Sequence, residues 1–399
     1  MTDQAYCHPL WIVSYNGLDL YKYFYYHVVM ITINEVTSKQ DSADFLRLPW
    51  EIYKDNQYWI PPLINEVEET LSLDRNPFWT HARMKMFLAR RNNEPVGRIA
   101  GIIDDNHINF HEEKTGFFGF FECVDDQEVA SGLFDHAKAW LKEHGMETMR
   151  GPVNPSMNDE NAFLLEGFDL PPAVMMPYTH EYYLKLAENY GLEKAKDLLA
   201  FIKYAKDGIP PRIEKMINRV RERTGVVTRP FNMRKFERDA EILKGLYNAA
   251  WEKNWGFVPM TDDEMNLAAK KLKQFVDPEL VLFAEIKGEA VGVSVTVPDI
   301  NQVLKRLNGK LGLIEMLKFV YYKRKIIGVR SLIGGVKKEY RESGIIAVLY
   351  YDTEKAGVRR GYEWSELGWN LEDNDLINKF DTAIGGKVYK KYRIYEIAI

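Results

Sequence analysis

The chain has 399 residues, a formal net charge of −5, and a composition that is 46% hydrophobic and 28% charged. This length exceeds one ordinary hydrophobic core, so two domains are expected. The acidic balance gives no general reason to expect a nucleic-acid partner. Two cysteines, Cys7 and Cys123, are too few for a disulfide framework and indicate a reducing, cytoplasmic setting. No Cys/His cluster has the spacing of metal ligands, so no metal is expected.

Residues 1–29 are predicted to be an extension that precedes the fold. Their apolar stretch at 18–29 carries Asp19 and Lys22 and is too short to span a bilayer. It lacks the basic n-region and the small-residue cleavage site of a signal peptide. A weak membrane anchor is the alternative interpretation. A regular strand pattern begins at Met30.

An internal repeat is the strongest signal in the sequence. Three segments in the first part of the chain match three in the second part. The first and last pairs lie 195 positions apart in the chain, and the middle pair lies 216 positions apart, which is 21 more. The second half therefore carries an insertion of 21 residues after Asp299, and the first half carries one after Asn154. Both insertions fall between core elements, where loops tolerate them. The matching segments are 89–104 with 284–299, 145–154 with 361–370, and 191–196 with 386–391.

The repeat and the residue patterns predict two similar α/β domains in tandem, each a mixed sheet flanked by helices. The predicted ranges are 30–205 and 226–399, joined by a helical linker at 206–225. In the linker, Pro211 suits the first turn of a helix and Gly225 suits its C-terminal cap. The elements predicted for the second domain, in chain order, are a strand at 226–231, helices at 234–255 and 262–274, a hairpin at 280–297, strands at 327–336 and 363–370, and a final strand at 388–397.

One loop of the second domain has the pattern of a phosphate-binding site. Arg341 and Gly344 form an R-x-x-G string between a predicted strand and a predicted helix. A glycine at the start of a helix lets backbone N–H groups approach a phosphate closely, and the arginine adds positive charge. An ordinary strand–helix turn is the alternative interpretation of this string.

At this loop the sequence resembles the GNAT superfamily of acyl-CoA-dependent N-acyltransferases. The family carries a Q/R-x-x-G-x-G/A loop there, which Arg341 and Gly344 match, with Ile346 in place of the last small residue. The resemblance extends from about residue 30 to the C-terminus. It is most specific for a family of tandem-GNAT bacterial proteins. Segments such as Asn76-Pro-Phe-Trp, Arg150-Gly-Pro-Val-Asn154 and Asn254-Trp255-Gly-Phe-Val-Pro259 carry it. The residues that the resemblance implies for acyl-CoA binding are Val336, Arg341, Glu342, Ser343, Gly344, Ile345 and Asn374.

The catalytic residues are less clear from the pattern. Many family members place a tyrosine seven residues after the Asn of the final helix, to protonate the leaving thiolate. Here Asp381 has that place, and a carboxylate is not expected to act as an acid at neutral pH. Tyr389 is therefore predicted as the acid, with Tyr392 nearby. Glu339 and Glu366, expected at the strand ends where the fold opens its cleft, are the candidate bases.

The first domain is predicted to have lost acyl-CoA binding. At the offset of 216, Arg341 corresponds to Asp125 and Gly344 corresponds to Glu128. An acidic loop without glycine would repel a pyrophosphate. Its long polar loop, residues 151–180, is instead expected to face the domain interface and bind the acceptor, or else to be an ordinary solvated loop. The candidate acceptor-binding residues are Asn154, Ser156, Asn158 and Trp255.

The insertion at 301–327 mixes apolar and aromatic residues with many lysines and arginines. Three interpretations are open: packing against the other domain, a lid over an acyl pocket, and peripheral contact with a membrane.

The function expected from the resemblance is transfer of an acyl group from acyl-CoA, acetyl or longer, to an amine of a small-molecule, lipid or other amphipathic acceptor. Two alternatives are a non-catalytic acyl-CoA sensor and an aminoacyl-tRNA-dependent transferase. The acidic composition argues against the second alternative, which needs a basic channel for RNA.

Overall fold

The computed structural model describes residues 31–399 except 252 and 253, and it describes the side chains of all of these except 249–251. The predicted extension at 1–29, Met30 and Cys7 lie outside the described residues.

The strands and helices follow the predicted alternation. The strands are β1 Ile31–Glu35, β2 Ala82–Arg91, β3 Glu94–Asp104, β4 Thr115–Cys123, β5 Thr148–Gly151, β6 Val153–Asn154, β7 Glu160–Asn161, β8 Phe163–Glu166, β9 Glu193–Tyr204, β10 Val227–Pro230, β11 Val281–Ile286, β12 Glu289–Pro298, β13 Gly328–Val336, β14 Trp364–Leu371 and β15 Lys387–Ala398. The helices are α1 Lys39–Ile52, α2 Ile64–Leu71, α3 Asp105–His111, α4 Gln127–Glu143, α5 Tyr182–Tyr190, α6 Pro211–Thr224, α7 Phe236–Trp251, α8 Asp262–Leu272, α9 Asn301–Leu304, α10 Leu313–Lys323, α11 Ile345–Arg360 and α12 Asp375–Ala383.

Local sequence explains where the helices begin and end. Ser38 caps α1 and Thr261 caps α8, each in a capping box with the acidic residue three positions later. The linker helix α6 has proline in its first turn, at Pro211, and Gly225 ends it in the left-handed conformation with φ +68°. These two linker residues were identified correctly from the sequence.

Within the described residues, thirteen strands form one continuous sheet, whose main path runs β1-β2-β3-β4-β5-β15-β9-β14-β13-β12-β11-β10. Only two of its pairs, β4 with β5 and β13 with β14, are parallel. We call residues 31–205 the first half and residues 226–399 the second half. The mixed sheet with flanking helices confirms the predicted fold class.

The two halves exchange their last strands. The C-terminal strand β15 pairs with β5 of the first half, and β9, the last strand of the first half, pairs with β14 of the second half. β15 and β9 also pair with each other, antiparallel, at the centre of the sheet. Each half therefore completes its sheet with a strand from the other half, which the predicted domain ranges did not anticipate.

A charged cluster also joins the halves. His81 of the first half lies between Asp104, at 2.9 Å, and Glu264 at the start of α8, at 3.3 Å. Burial lowers the pKa of His81, but the hydrogen bonds to these carboxylates prevail and raise it to about 9. His81 is therefore an imidazolium at neutral pH, bound to a carboxylate from each half.

Candidate functional site

The predicted phosphate loop joins β13 to α11. β13 ends at the buried Val336, a single 3-10 turn follows at Lys338–Tyr340, and Gly344 is the N-cap of α11 with φ +82°. Ser343 holds the turn, since its Oγ donates to the Tyr340 carbonyl and accepts from the Ile345 N–H. Gly344 has no capping side chain, so the N-terminus of this 16-residue helix has no carboxylate of its own at the cap.

The linker helix α6 supports this loop from one side. A Cβ atom on Gly344 would lie 2.9 Å from a methyl group of Val220, so there is no room for a larger residue. The guanidinium of Arg223 donates to the Ser343 carbonyl at 2.5 Å. The linker therefore fixes the loop and places a second arginine beside it, in addition to Arg341.

The corresponding loop of the first half is built differently. α4 begins after the N-cap Asp126, whose carboxylate accepts from the N–H groups of Glu128 and Val129. In the sequence repeat, the offset of 216 aligns Gly344 with Glu128. In the structure, Gly344 corresponds to Asp126, because each is the N-cap of the equivalent helix. The reason is loop length: three residues (124–126) precede α4, but eight (337–344) precede α11. The prediction of an acidic loop without glycine holds, and Asp126 occupies the position that an anion would take.

The parallel strand pair of each half, β13 with β14 and β4 with β5, also differs in whether a cleft opens between the strands. β13 and β14 pair from Gly328 to Ser331 and then part, although both strands continue. β4 and β5 also pair briefly, but β6 then lies against β4, and a Cβ on Gly119 would be 1.8 Å from the Val153 carbonyl oxygen. The cleft between parallel strands is therefore closed in the first half and formed in the second.

A cavity of about 390 Å³ lies between the halves. The first half contributes residues of the loop that follows β6, and the second half contributes α7, α8, the segment after α7, and β13. Most of its surface is apolar. Its apolar walls include Phe236, Leu243, Met265, Leu272, Leu332 and Trp369.

The structure brings two of the four predicted acceptor-binding residues into this cavity. Asn158 and Trp255 both line it, and Asn158 also donates to the Val258 carbonyl and accepts from the Tyr247 hydroxyl. Asn154 does not line it, because its Oδ1 accepts from the Phe120 N–H within the first half. Ser156 is buried, and its Oγ donates to Asp159 at 2.6 Å.

Two of the three predicted catalytic residues lie in contact. The Tyr389 hydroxyl donates to Glu366, which forms an ion pair with Arg330 at 2.9 Å. Glu366 is completely buried, and burial raises the pKa of its carboxyl, although Arg330 opposes this. Glu366 lies three residues into β14, opposite Arg330 in the register, and not at a strand end as expected. Arg330 lines the cavity, so Glu366 contacts the cavity wall through this arginine.

Glu339 is not part of this group. It is exposed in the 3-10 turn of the phosphate loop, beyond the end of β13. Val336 lies six positions after Arg330 along β13, a span of about 20 Å at about 3.3 Å per residue. Glu339 therefore lies with the predicted acyl-CoA-binding residues and far from the Glu366 carboxylate.

The structure changes the expectation for Asp381. This residue is buried in α12, where desolvation raises the pKa of its carboxyl to about 7, against a smaller effect of the hydrogen bond from Asn370. From the sequence, Asp381 was expected to be an ordinary carboxylate that is ionised at neutral pH. A carboxyl with a pKa near neutrality can carry a proton at neutral pH, which weakens the argument against Asp381 as an acid. Asn374 is the N-cap of the same helix.

Sequence reasoning missed other residues of the site. Arg330 was not selected, although a single charged residue in the otherwise uncharged strand sequence GVRSLIGGV was a usable signal. Asp159, an exposed residue, also lines the cavity. It belongs to the polar loop 151–180, which the sequence predicted to face the domain interface, but it was not among the selected acceptor-binding residues.

Known proteins give an independent comparison. No protein-family model matches the sequence. The chain is 35% identical over 393 residues to Protein YghO of Escherichia coli strain K12, a match that covers 96% of each protein. It is also 35% identical over 377 residues to a protein named bacterial ceramide synthase, from Caulobacter vibrioides, covering 92% of this chain and 98% of that one.

The fold has relatives among solved structures. A tandem GNAT protein from the clavulanic acid biosynthesis pathway superposes with a TM-score of 0.54 at 12% identity, covering 92% of this chain and 98% of that one. The superposition, together with the exchanged mixed sheet and the parted parallel strands, shows that the chain has the tandem GNAT fold. The chain belongs to the family that includes Protein YghO and the bacterial ceramide synthase.

Proposed function

We propose that the chain is an acyl-CoA-dependent N-acyltransferase with one active site, which the second half supplies and the first half completes. One observation carries the proposal: the uncapped start of α11, with Gly344 in the left-handed conformation, adjoins strands that part beside an apolar cavity. A helix N-terminus of this kind suits a phosphate group, and the cavity suits a long acyl chain or an apolar acceptor.

The residues proposed to hold acyl-CoA are those of the phosphate loop. Arg341 and Arg223 provide positive charge, and the backbone N–H groups of Glu342 and Gly344 are proposed to bind the phosphates. The N–H groups of Ser343 and Ile345 already donate to the Tyr340 carbonyl and to Ser343 Oγ. Val336 ends the strand that leads into the loop, and Ser343 fixes the loop by its two hydrogen bonds. Asn374 begins the helix on the other side of the parted strands. Acyl-CoA supplies an activated thioester as co-substrate.

The proton transfers are assigned to groups at the cavity and beside the parted strands. The amine must lose a proton before its nitrogen forms the amide bond, and we propose that Asp159, whose carboxylate faces the cavity, accepts it. When the carbon–sulfur bond breaks, the thiolate takes a proton, and we propose that the buried Asp381 donates it. Glu366 and Tyr389 are proposed as positioning residues that orient Arg330 at the cavity wall.

The acceptor is proposed to be an amine that carries a long apolar chain. The relative named bacterial ceramide synthase supports this, since a ceramide is the amide of a long-chain amine and a fatty acid. The apolar wall between the halves also supports it, with Asn158 and Trp255 placed to contact the acceptor. A lipid amine of this kind resides in membranes, so peripheral contact through residues 301–327 would bring the protein to its acceptor.

A matched pair of glycine variants tests the acyl-CoA site. Gly344 and Gly361 flank α11, and both have positive φ, but a Cβ would meet Val220 at Gly344 and nothing within 4 Å at Gly361. Gly344→Ala should therefore weaken CoA binding, measured by calorimetry, on the order of tenfold or more, whereas Gly361→Ala should bind like wild type. Equal binding by both variants would contradict the proposal.

Activity is tested by the release of free thiol from acetyl-CoA and palmitoyl-CoA in the presence of long-chain amines. Thiol release that depends on the amine, with formation of the amide, is the expected result. CoA binding without any thiol release would instead support a sensor.

A further inference from the structure

One face of helix α10 exposes large apolar side chains to solvent. Leu313 is 90% exposed, Leu317 73% and Ile314 66%, and Val320 and Tyr321 are also more than half exposed. The spacing of these residues places them along one side of the helix, which is the pattern of an apolar stripe. Exposed leucines occur singly on most proteins, but a stripe of this size on one helix marks an interaction surface.

The opposite face of α10 is already packed. Phe319 and Tyr322 pack on an apolar cluster formed by both halves, which includes Val174 of the first half and Leu332 of the cavity wall. The segment before α10 contacts the first half, where the Gly309 carbonyl accepts from the Ile64 N–H. Packing between the halves therefore accounts for the start of the insertion and for one face of α10, and leaves the exposed stripe without an explanation.

The charge around the stripe indicates what covers it. Residues 301–327 contain seven Lys or Arg and one Glu, a formal charge of +6, so the rest of this −5 chain carries −11. Among the described residues of this segment, only Lys318 lies within 4.0 Å of a carboxylate, that of Glu315. Such a basic segment in an acidic protein is complementary to a polyanionic surface.

We infer that the exposed face of α10 inserts into the headgroup region of an anionic lipid bilayer. Apolar residues on one side of the helix with flanking lysines, arginines and tyrosines are the features of an interfacial helix. The helix would lie in the plane of the membrane, because no helix within the described ranges has the length and apolar character needed to span one. This inference extends the proposed function, since the same apolar cluster supports α10 and walls the cavity, so an amphipathic acceptor has a short path from membrane to site.

The basic residues and the apolar stripe make separable contributions. Apolar insertion holds the protein at the surface, while the lysines and arginines attract it to anionic lipid and are screened by salt. Binding should therefore need anionic lipid at physiological salt and weaken as salt rises. A protein partner for the stripe would not show this dependence on lipid charge.

Flotation with lipid vesicles tests the inference. Wild type should float with vesicles of phosphatidylcholine and phosphatidylglycerol, and much less with phosphatidylcholine alone. Leu313→Glu/Leu317→Glu should weaken binding on the order of a hundredfold, about tenfold per leucine removed from the bilayer. Both leucines are exposed, so the variant should fold normally.

The matched control is Leu73→Glu/Val227→Glu, which changes two apolar residues that are 61% and 58% exposed elsewhere. It should float like wild type. Absence of flotation by wild type, or flotation of both double variants alike, would overturn the inference. A dimer in solution that Leu313→Glu/Leu317→Glu dissociates, without vesicle binding, would also overturn it and assign the face to a second copy of the chain. CoA binding, measured on the same samples, reports separately on the proposed active site.

Discussion

The buried Asp381 should make the protein less stable than it would be with a neutral side chain at this position. In the unfolded chain this carboxyl ionises near its ordinary pKa of 3.8, whereas burial raises its pKa to about 7 in the fold. Between these values the folded state keeps a proton that the unfolded state has lost. Stability therefore falls as the pH rises from about 4 to about 7, and the loss is complete above the folded pKa.

The change Asp381→Asn removes this penalty and keeps the shape of the side chain. The new amide oxygen can still accept the hydrogen bond from Asn370, which is 2.8 Å long in the wild type. One pKa unit corresponds to about 1.4 kcal/mol, so the full penalty is on the order of 4 kcal/mol. The variant should be more stable than wild type by up to about this amount near pH 8, and hardly at all near pH 4.

Urea unfolding of both proteins at the two pH values measures the difference. Asp375→Asn, in the same helix but 78% exposed, is the control and should change stability little at either pH. A gain for Asp381→Asn that is equal at both pH values, or no gain near pH 8, would refute the reasoning. The proposed role as an acid adds a second expectation: the more stable variant should lose turnover by about a hundredfold or more, with the KM for acyl-CoA unchanged.

Two further predictions follow from the interface between the halves. His81→Gln should destabilise the protein near neutral pH, because the folded pKa of about 9 lies above the ordinary 6.5; the contribution is complete below about pH 6.5 and is lost as the pH rises through about 9. Thermal unfolding should therefore show a large difference from wild type at pH 7 and none at about pH 10, and a constant difference would contradict the assignment. Ala269 lines the cavity from α8, so Ala269→Phe should fill part of its volume of about 390 Å³. The rate with palmitoyl-CoA and a long-chain amine should fall on the order of tenfold relative to the rate with acetyl-CoA and a short amine, whereas an equal change in both would place the long chain elsewhere.

Much of the fold is determined locally and could be predicted. The strand at 327–336 is observed at Gly328–Val336, and the final strand, predicted at 388–397, is Lys387–Ala398. The repeat was visible because both halves preserve the same hairpin pattern. The phosphate loop was visible because its glycine needs a left-handed conformation at a fixed position between a strand and a helix. Asn158 and Trp255 could be proposed because the order of the predicted elements locates the loops that carry them.

Tertiary structure alone decided how these parts combine. The exchange of β9 and β15 depends on pairing between strands that are far apart in the chain, as in Trp364 with Tyr204 and Tyr395 with Gly151. Both ways of pairing satisfy the same local patterns. The protonation of Asp381 depends on how completely its neighbours exclude water, and the ion pair of Glu366 with Arg330 depends on strand register. The sequence supplies the chemical groups at each position, but a pKa, a cavity wall or an exposed apolar face is a property of the surroundings, which are assembled from distant parts of the chain.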